Sequence, residues 1–163
     1  MKTLFVLRHG KSSWSDASLD DHDRPLKGRG KKAAKKIGQL LRERGWLPDL
    51  VLSSTARRAY ATARLALMEA GYEGEIVKVE DLYFASVHKQ LAAVSRHARR
   101  KDKSVLIVGH NPALEELVGT LTGGEVSMTT ANLAVVELDI KDWGKLPGTR
   151  GQLRDLVRPR ELS

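Results

Sequence analysis

Four residues of this sequence have side chains suited to handling a phosphoryl group: Arg8, His9, Arg58 and His110. A neutral imidazole nitrogen attacks phosphorus well near neutral pH, since its ordinary pKa lies at about 6.5. An arginine offers a planar fork of donors that matches two phosphate oxygens, and it keeps its charge at any working pH. Gly10, next to His9, lets backbone approach the same place closely. Taken one at a time, these residues have ordinary readings. Arg8 ends a strand, His9 is a satisfied structural histidine, Ser53-Ser54 makes a turn and a cap, and His110-Asn111-Pro112 starts a helix. Chemistry becomes the better reading if the fold brings them together.

The elements that must do so are legible in the pattern. Short apolar runs alternate with longer amphipathic periods, which predicts βαβ units and an α/β fold with a mostly parallel sheet. Strands are expected at Thr3–Leu7, Leu50–Leu52, Ile76–Val79, Val105–Val108 and Leu133–Leu138, with a weaker one at Leu153–Val157. Helices are expected over Gly30–Glu43, Ala56–Glu69, Val87–Arg99 and Ala113–Thr120. Only the turn-rich stretch Asp142–Gly151 separates the last two strands, so one sheet edge should be antiparallel. The polar stretch from Gly10 to Lys27 lacks a period, and a connection that long in a compact fold usually has a task or is mobile.

In open α/β sheets, ligands bind beyond the carboxyl ends of the strands. The first such end presents Arg8, His9 and Gly10. The second presents Ser53 and Ser54, then Arg58 about one turn into the next helix; the third ends at Glu80 and Asp81; the fourth presents Gly109, His110 and Asn111. Two histidines and two arginines from three strand ends are thus expected to face one crevice. Ser54 and Asn111 are candidate N-caps and Pro112 a first helical residue, so two helix N-termini would aim N–H groups at the same crevice.

Bulk properties set the frame. The 163 residues suit one domain over 1–163, with apolar and charged fractions of 41% and 29% that speak for a globular chain. There is no cysteine, which removes disulfides, a thiolate nucleophile and sulfur-ligated zinc. The apolar start Leu4–Leu7 is cut short by Arg8-His9, below the length of a secretory core, and no run reaches membrane-spanning length. A cytoplasmic protein with no membrane partner is expected. Against 20 acidic residues stand 28 Lys and Arg, a net charge of +8 that favours anionic partners. Most of that excess is assigned to solvated faces, as with Lys31, Lys32, Lys35 and Lys36 opposite Ala33, Ile37, Leu40 and Leu41.

Three segments resemble the motifs of the histidine phosphatase, or phosphoglycerate mutase-like, superfamily. Leu7-Arg8-His9-Gly10 is similar to its Arg-His-Gly signature; Ser53-Ser54-Thr55-Ala56-Arg57-Arg58-Ala59-Tyr60-Ala61-Thr62-Ala63 to its second motif, with Thr55 in place of the usual proline; and Val108-Gly109-His110-Asn111-Pro112 to its third. The short length, with Asp23-Arg24-Pro25-Leu26 ahead of Gly28-Arg29-Gly30, resembles the SixA-like phosphohistidine phosphatase branch. The resemblance runs from about Thr3 to Leu121. It implies a three-layer αβα sandwich and His9 as a phosphorylated nucleophile, with Arg8, Arg58 and His110 holding the phosphoryl oxygens. Arg24 and Gly10 would be further substrate contacts. No metal or cofactor is implied, since cationic side chains stabilise the charge, and His22, His88 and His97 show no ligand spacing. Larger relatives carry a glutamate acid after the third strand. Here Phe84 falls near that place, leaving Glu80 and Asp81 as candidates, each of which equally suits a solvated strand end. A weak acid fits phosphohistidine, whose imidazole departs more readily than an alkoxide.

The expectation is a monomeric phosphatase acting on phosphorylated protein or a small phosphorylated substrate. A small-molecule phosphomonoesterase would share every catalytic residue and differ at the rim. A non-catalytic nucleic-acid binder is permitted by charge, as at Gly28-Arg29-Gly30-Lys31-Lys32, but it lacks an aromatic stacking platform and leaves the Arg–His motifs unexplained. No Gly-x-x-x-x-Gly-Lys-Ser/Thr segment occurs, which removes a P-loop nucleotide binder.

Overall fold

The computed structural model describes Met1–Leu162. Ten main elements follow in the order β1 (Lys2–Arg8), α1 (Gly28–Glu43), β2 (Leu50–Ser54), α2 (Arg57–Ala70), β3 (Ile76–Val79), α3 (Val87–His97), β4 (Ser104–Gly109), α4 (Ala113–Thr122), β5 (Leu133–Leu138) and β6 (Gly151–Val157). They build one six-stranded sheet in the order β3-β2-β4-β1-β5-β6. The first four strands of that order run parallel, while β5 is antiparallel to both β1 and β6. The antiparallel edge expected from the short β5–β6 connection is present.

The period of two along each strand divides the core. On β1, Leu4 and Val6 face a cluster with Leu91 and Val94 of α3 and Leu114, Leu117 and Leu121 of α4. Phe5 and Leu7 face the other way, onto Ile37 and Leu41 of α1 and Ala59, Ala63 and Ala66 of α2. Because β1 and β4 are buried on both faces, they read as unbroken apolar runs rather than alternating ones. The result is helix, sheet, helix: the three-layer α/β sandwich. The small α2 face (Ala59, Ala63, Ala66) lets α1 come close enough for a Cβ at Gly38 to fall 2.1 Å from the Ala66 carbonyl oxygen. A larger residue at Gly38 would push these helices apart.

Candidate active site

Strand register brings the two histidines together. β1 and β4 are parallel neighbours with Arg8 opposite Gly109, so the residues that follow, His9 and His110, emerge side by side. Their ring centroids are 5.0 Å apart. β2 lies on the other flank of β4, with Ser53 opposite Val108, and this carries Ser54 Oγ to 2.7 Å from His110 Nε2. Arg58 enters from the first turn of α2, as its spacing from the β2 end requires.

His9 is buried, and its Nδ1 lies 2.7 Å from the Gly10 carbonyl oxygen. A carbonyl only accepts, so Nδ1 carries the proton and the lone pair on Nε2 is left free. Burial pulls the His9 pKa down to about 4; the Gly10 carbonyl acts in the opposite sense, while Arg58, Arg8 and Arg24 lower it further. His110 is lowered to about 3, first by burial, then by the charge of His9 and Arg58, with Asp21 opposing. Both rings are therefore neutral near neutral pH.

The arginines are fixed by hydrogen bonds. Arg8 Nη1 donates to the Met128 carbonyl at 3.0 Å, which also accepts Asn111 Nδ2 at 2.7 Å. Met128 is held in turn by its N–H donating to Glu115 Oε2 at 2.7 Å. The same segment pins the end of β1: the Arg8 N–H donates to the Asn132 carbonyl at 3.1 Å, and the Ala131 N–H to the His9 carbonyl at 2.9 Å. Ala131 sits at a φ of +59°, the one non-glycine residue at positive φ among the described residues. Such a conformation costs roughly 1–2 kcal/mol for an L residue and collects at functional sites. Among the described residues, the buried side-chain polar atoms without a partner are Arg8 Nε, His110 Nδ1 and Asn111 Oδ1, all at this crevice. Unpaired buried polar atoms are rare and call for a partner.

Arg24 and Arg58, 6% and 7% exposed, are joined by a residue that sequence reasoning missed. Asp21 Oδ1 accepts from Arg24 Nη1 at 2.7 Å, and its Oδ2 accepts from Arg58 Nη2 at 3.0 Å and from the Tyr83 hydroxyl at 2.5 Å. Arg58 Nη1 also donates to the Asp21 carbonyl at 2.7 Å. The Tyr83 hydroxyl, and after it the two arginines, hold the Asp21 carboxyl well below the usual carboxylate range against the opposing effect of burial. The signal in the sequence was the acidic run Asp20, Asp21, Asp23 just before Arg24. Which of the three turns inward depends on how the short turn Asp21–Asp23 docks on α2, a tertiary matter.

The long polar stretch thus forms one wall of the site. Arg24 donates to Ser12 Oγ and to the Ser13 carbonyl, and its guanidinium lies 3.1 Å from the ring centre of Trp14. Arg8, His9, Arg24 and Arg58 line a cavity of about 470 Å³ with Trp14 and Lys27 among its other walls. Gly10 has a packing role. Its N–H donates to Thr62 Oγ1 at 2.9 Å, and a Cβ there would meet the Gly30 carbonyl oxygen at 2.8 Å, so its small size packs the end of β1 against α1. Glu80 and Asp81 lie in the turn after β3. Glu80 is exposed, and Asp81 stands 3.6 Å from Arg96. Phe84 beside them is 78% exposed.

The expected N-caps are corrected. The capping residues are Ala56 and Pro112, neither with a side-chain bond. Ser54 instead accepts from the Ala56 N–H at 3.2 Å while touching His110, and Asn111 turns to Met128. Among the described residues, no group of three or more His, Cys, Asp or Glu is placed to hold a metal.

Comparison with known proteins identifies the family. Residues 4–83 match the model of the histidine phosphatase superfamily, branch 1. An uncharacterised chloroplastic protein of Arabidopsis thaliana is 34% identical over 170 residues, spanning 97% of this chain and 78% of that protein. The chain belongs to the histidine phosphatase superfamily. Within the superfamily it is an enzyme of the phosphatase class and sits on the SixA-like side. The structure of a candidate phosphohistidine phosphatase, SixA, from Agrobacterium tumefaciens superposes with a TM-score of 0.83 at 28% identity, covering 97% of this chain and 98% of that one. A 2,3-bisphosphoglycerate-dependent phosphoglycerate mutase of Thermobifida fusca is 44% identical over 73 residues, which is 44% of this chain but only 30% of the mutase.

Proposed function

We propose that this histidine phosphatase removes phosphoryl groups from phosphohistidine in proteins, with His9 as the transient acceptor. The observation that carries the reading is the His9 ring. It is neutral, its Nδ1–H is fixed on the Gly10 carbonyl, and its free Nε2 stands among Arg8, Arg24 and Arg58. In the first step Nε2 forms a bond to phosphorus while the phosphorus–leaving-group bond breaks, the electron pair departing with the leaving group. Arg8, Arg58 and His110 stabilise charge on the oxygens in transit. In the second step water attacks the phosphohistidine, releasing inorganic phosphate and restoring the neutral ring.

The supply of acid favours phosphohistidine over an ordinary ester. Asp21 is the carboxylate nearest to the arginines, and it is held ionised. Glu80 and Asp81 are turned to solvent and to Arg96. A site without a poised acid suits phosphohistidine, whose ring takes a proton from water at its other nitrogen near neutral pH and so departs as neutral imidazole. A monomeric state and a cytoplasmic location belong to the same reading.

The test compares a phosphohistidine-bearing carrier protein with a panel of small alkyl phosphates. Rapid turnover of the protein and slow turnover of the alkyl esters is the expected result. Fast hydrolysis of an alkyl phosphate with the phosphoprotein left intact would replace this reading with that of a small-molecule phosphomonoesterase.

A further inference from the structure

Next to the phosphoryl cavity runs a second one of about 430 Å³, between α1, the segment Thr129–Asn132 and the turn Pro159–Glu161. Its charged lining is Lys11, Arg29, Lys32, Lys36 and Arg160, and no acidic residue lines it. Lys11 and Thr130 also line the His9 cavity, so the two are continuous. Elsewhere on the surface arginines find carboxylates: Arg44 with Asp155, Arg96 with Asp81 and Arg154 with Glu137. None of the five groove cations makes an ion pair among the described residues. Five like charges left facing one another repel, and an anion entering the groove relieves that repulsion.

The groove's form narrows what that anion is. Arg29, Lys32 and Lys36 follow one face of α1, and at 1.5 Å per residue they span about 10 Å, the length of about three residues of extended chain. That is longer than one phosphate needs. The lining holds no aromatic side chain on which a nucleobase could stack. We infer that this groove docks an acidic segment of the protein substrate, laid along α1 while its phosphorylated residue enters the His9 cavity. The inference rests on the reading of the chain as a protein phosphatase, and its test must separate the two.

The decisive comparison is between two charge-reversed variants, K32E/K36E inside the groove and K31E/K35E on the same helix outside it. Lys31 lines a different cavity and Lys35 is exposed, so the pair controls for net charge. Binding is read first, without turnover, as fluorescence anisotropy of an unphosphorylated glutamate-rich peptide. Wild type and K31E/K35E should bind it alike and lose it as salt rises, and K32E/K36E should bind about tenfold more weakly. Phosphohistidine peptides with glutamate or glutamine flanks are then compared. Wild type should prefer the acidic flanks through KM, and K32E/K36E should lose that preference while hydrolysing an aryl phosphate at the wild-type rate, which also shows that it is folded. Equal weakening in both variants, tighter binding of a single-stranded oligonucleotide of matched charge, or loss of aryl phosphate turnover in K32E/K36E would each overturn the inference. If neither phosphopeptide is hydrolysed but the glutamate peptide binds in the groove-dependent way, the phosphohistidine reading fails and the docking groove stands.

Discussion

Arg24 and Arg58 are almost wholly buried, and their guanidinium groups are aimed by Asp21 and, for Arg24, by Ser12. A few residues away along the same surface, Lys11, Arg29 and Lys32 are exposed and without ion pairs. Both regions are cationic, and the proposed reading gives them different tasks. Buried, hydrogen-bonded cations need no rearrangement when charge develops on a phosphoryl group, which is what transition-state stabilisation demands. Exposed, hydrated lysines cannot supply that precision; their field acts on encounter and affinity and is weakened by salt. If the buried arginines serve chemistry and the exposed cations recruitment, substitutions in the two regions should have different kinetic signatures.

The largest effects belong to the hydrogen-bonded arginines of the His9 cavity. Arg58→Ala or Arg8→Ala should lower kcat for an aryl phosphate by about 10²–10³-fold, the usual cost of losing one preorganised donor. A purely electrostatic role would be matched by Arg58→Lys, whereas the bidentate hold of Arg58 on Asp21 predicts that lysine rescues poorly. Steady-state kinetics of the three variants decides between them.

Asp21→Ala should have a smaller effect, about tenfold in kcat/KM, because it loosens Arg24 and Arg58 without removing either. Unchanged or improved kcat/KM would mean that the carboxylate only competes with phosphate for the arginines. Tyr83→Phe, which takes away one hydrogen bond to Asp21, should fall between wild type and Asp21→Ala.

A third effect is on stability. His9 and His110 have pKa values of about 4 and about 3 in the fold, below the ordinary value near 6.5 of the unfolded chain, chiefly through burial. Between those limits the unfolded state binds more protons, so stability is present above pH 6.5 and is lost as pH falls toward 4. The slope should approach about 1.4 kcal/mol per pH unit for each histidine. Urea unfolding at stepped pH should show this slope, shallower in His110→Asn. An equal slope in the variant would place the buried proton sites elsewhere. The smallest effect is on the outer region: raising salt should weaken docking at the α1 groove while leaving kcat on an aryl phosphate nearly unchanged.

The sequence disclosed the frame more readily than the details of the site. β3 and β5 were legible to the residue, since an apolar run between turn residues has few alternatives. The meeting of His9, His110 and Arg58 was legible too, because strand ends in a parallel sheet share one crest. β6 begins at Gly151, two residues before expectation, because it pairs with β5 through backbone that an exposed, polar stretch does not announce. Asp21, Tyr83 and Met128 escaped notice for a common reason. Each acts through a contact between segments far apart in the chain, such as Tyr83 with Asp21 or Arg8 with the Met128 carbonyl, and local residue type carries no trace of that. The same holds for Ser54 and Asn111, whose side chains serve the site instead of capping their helices.

His9 is proposed to carry the phosphoryl group between the two steps. The direct measurement is mass spectrometry of wild-type enzyme quenched in alkali within its first turnovers of an aryl phosphate, conditions under which phosphohistidine survives. One added phosphate is expected on the peptide containing His9, with fragmentation that places it on the imidazole and no such species in His9→Ala, which should be inactive. Phosphate found on another residue, or full turnover by His9→Ala, would contradict it.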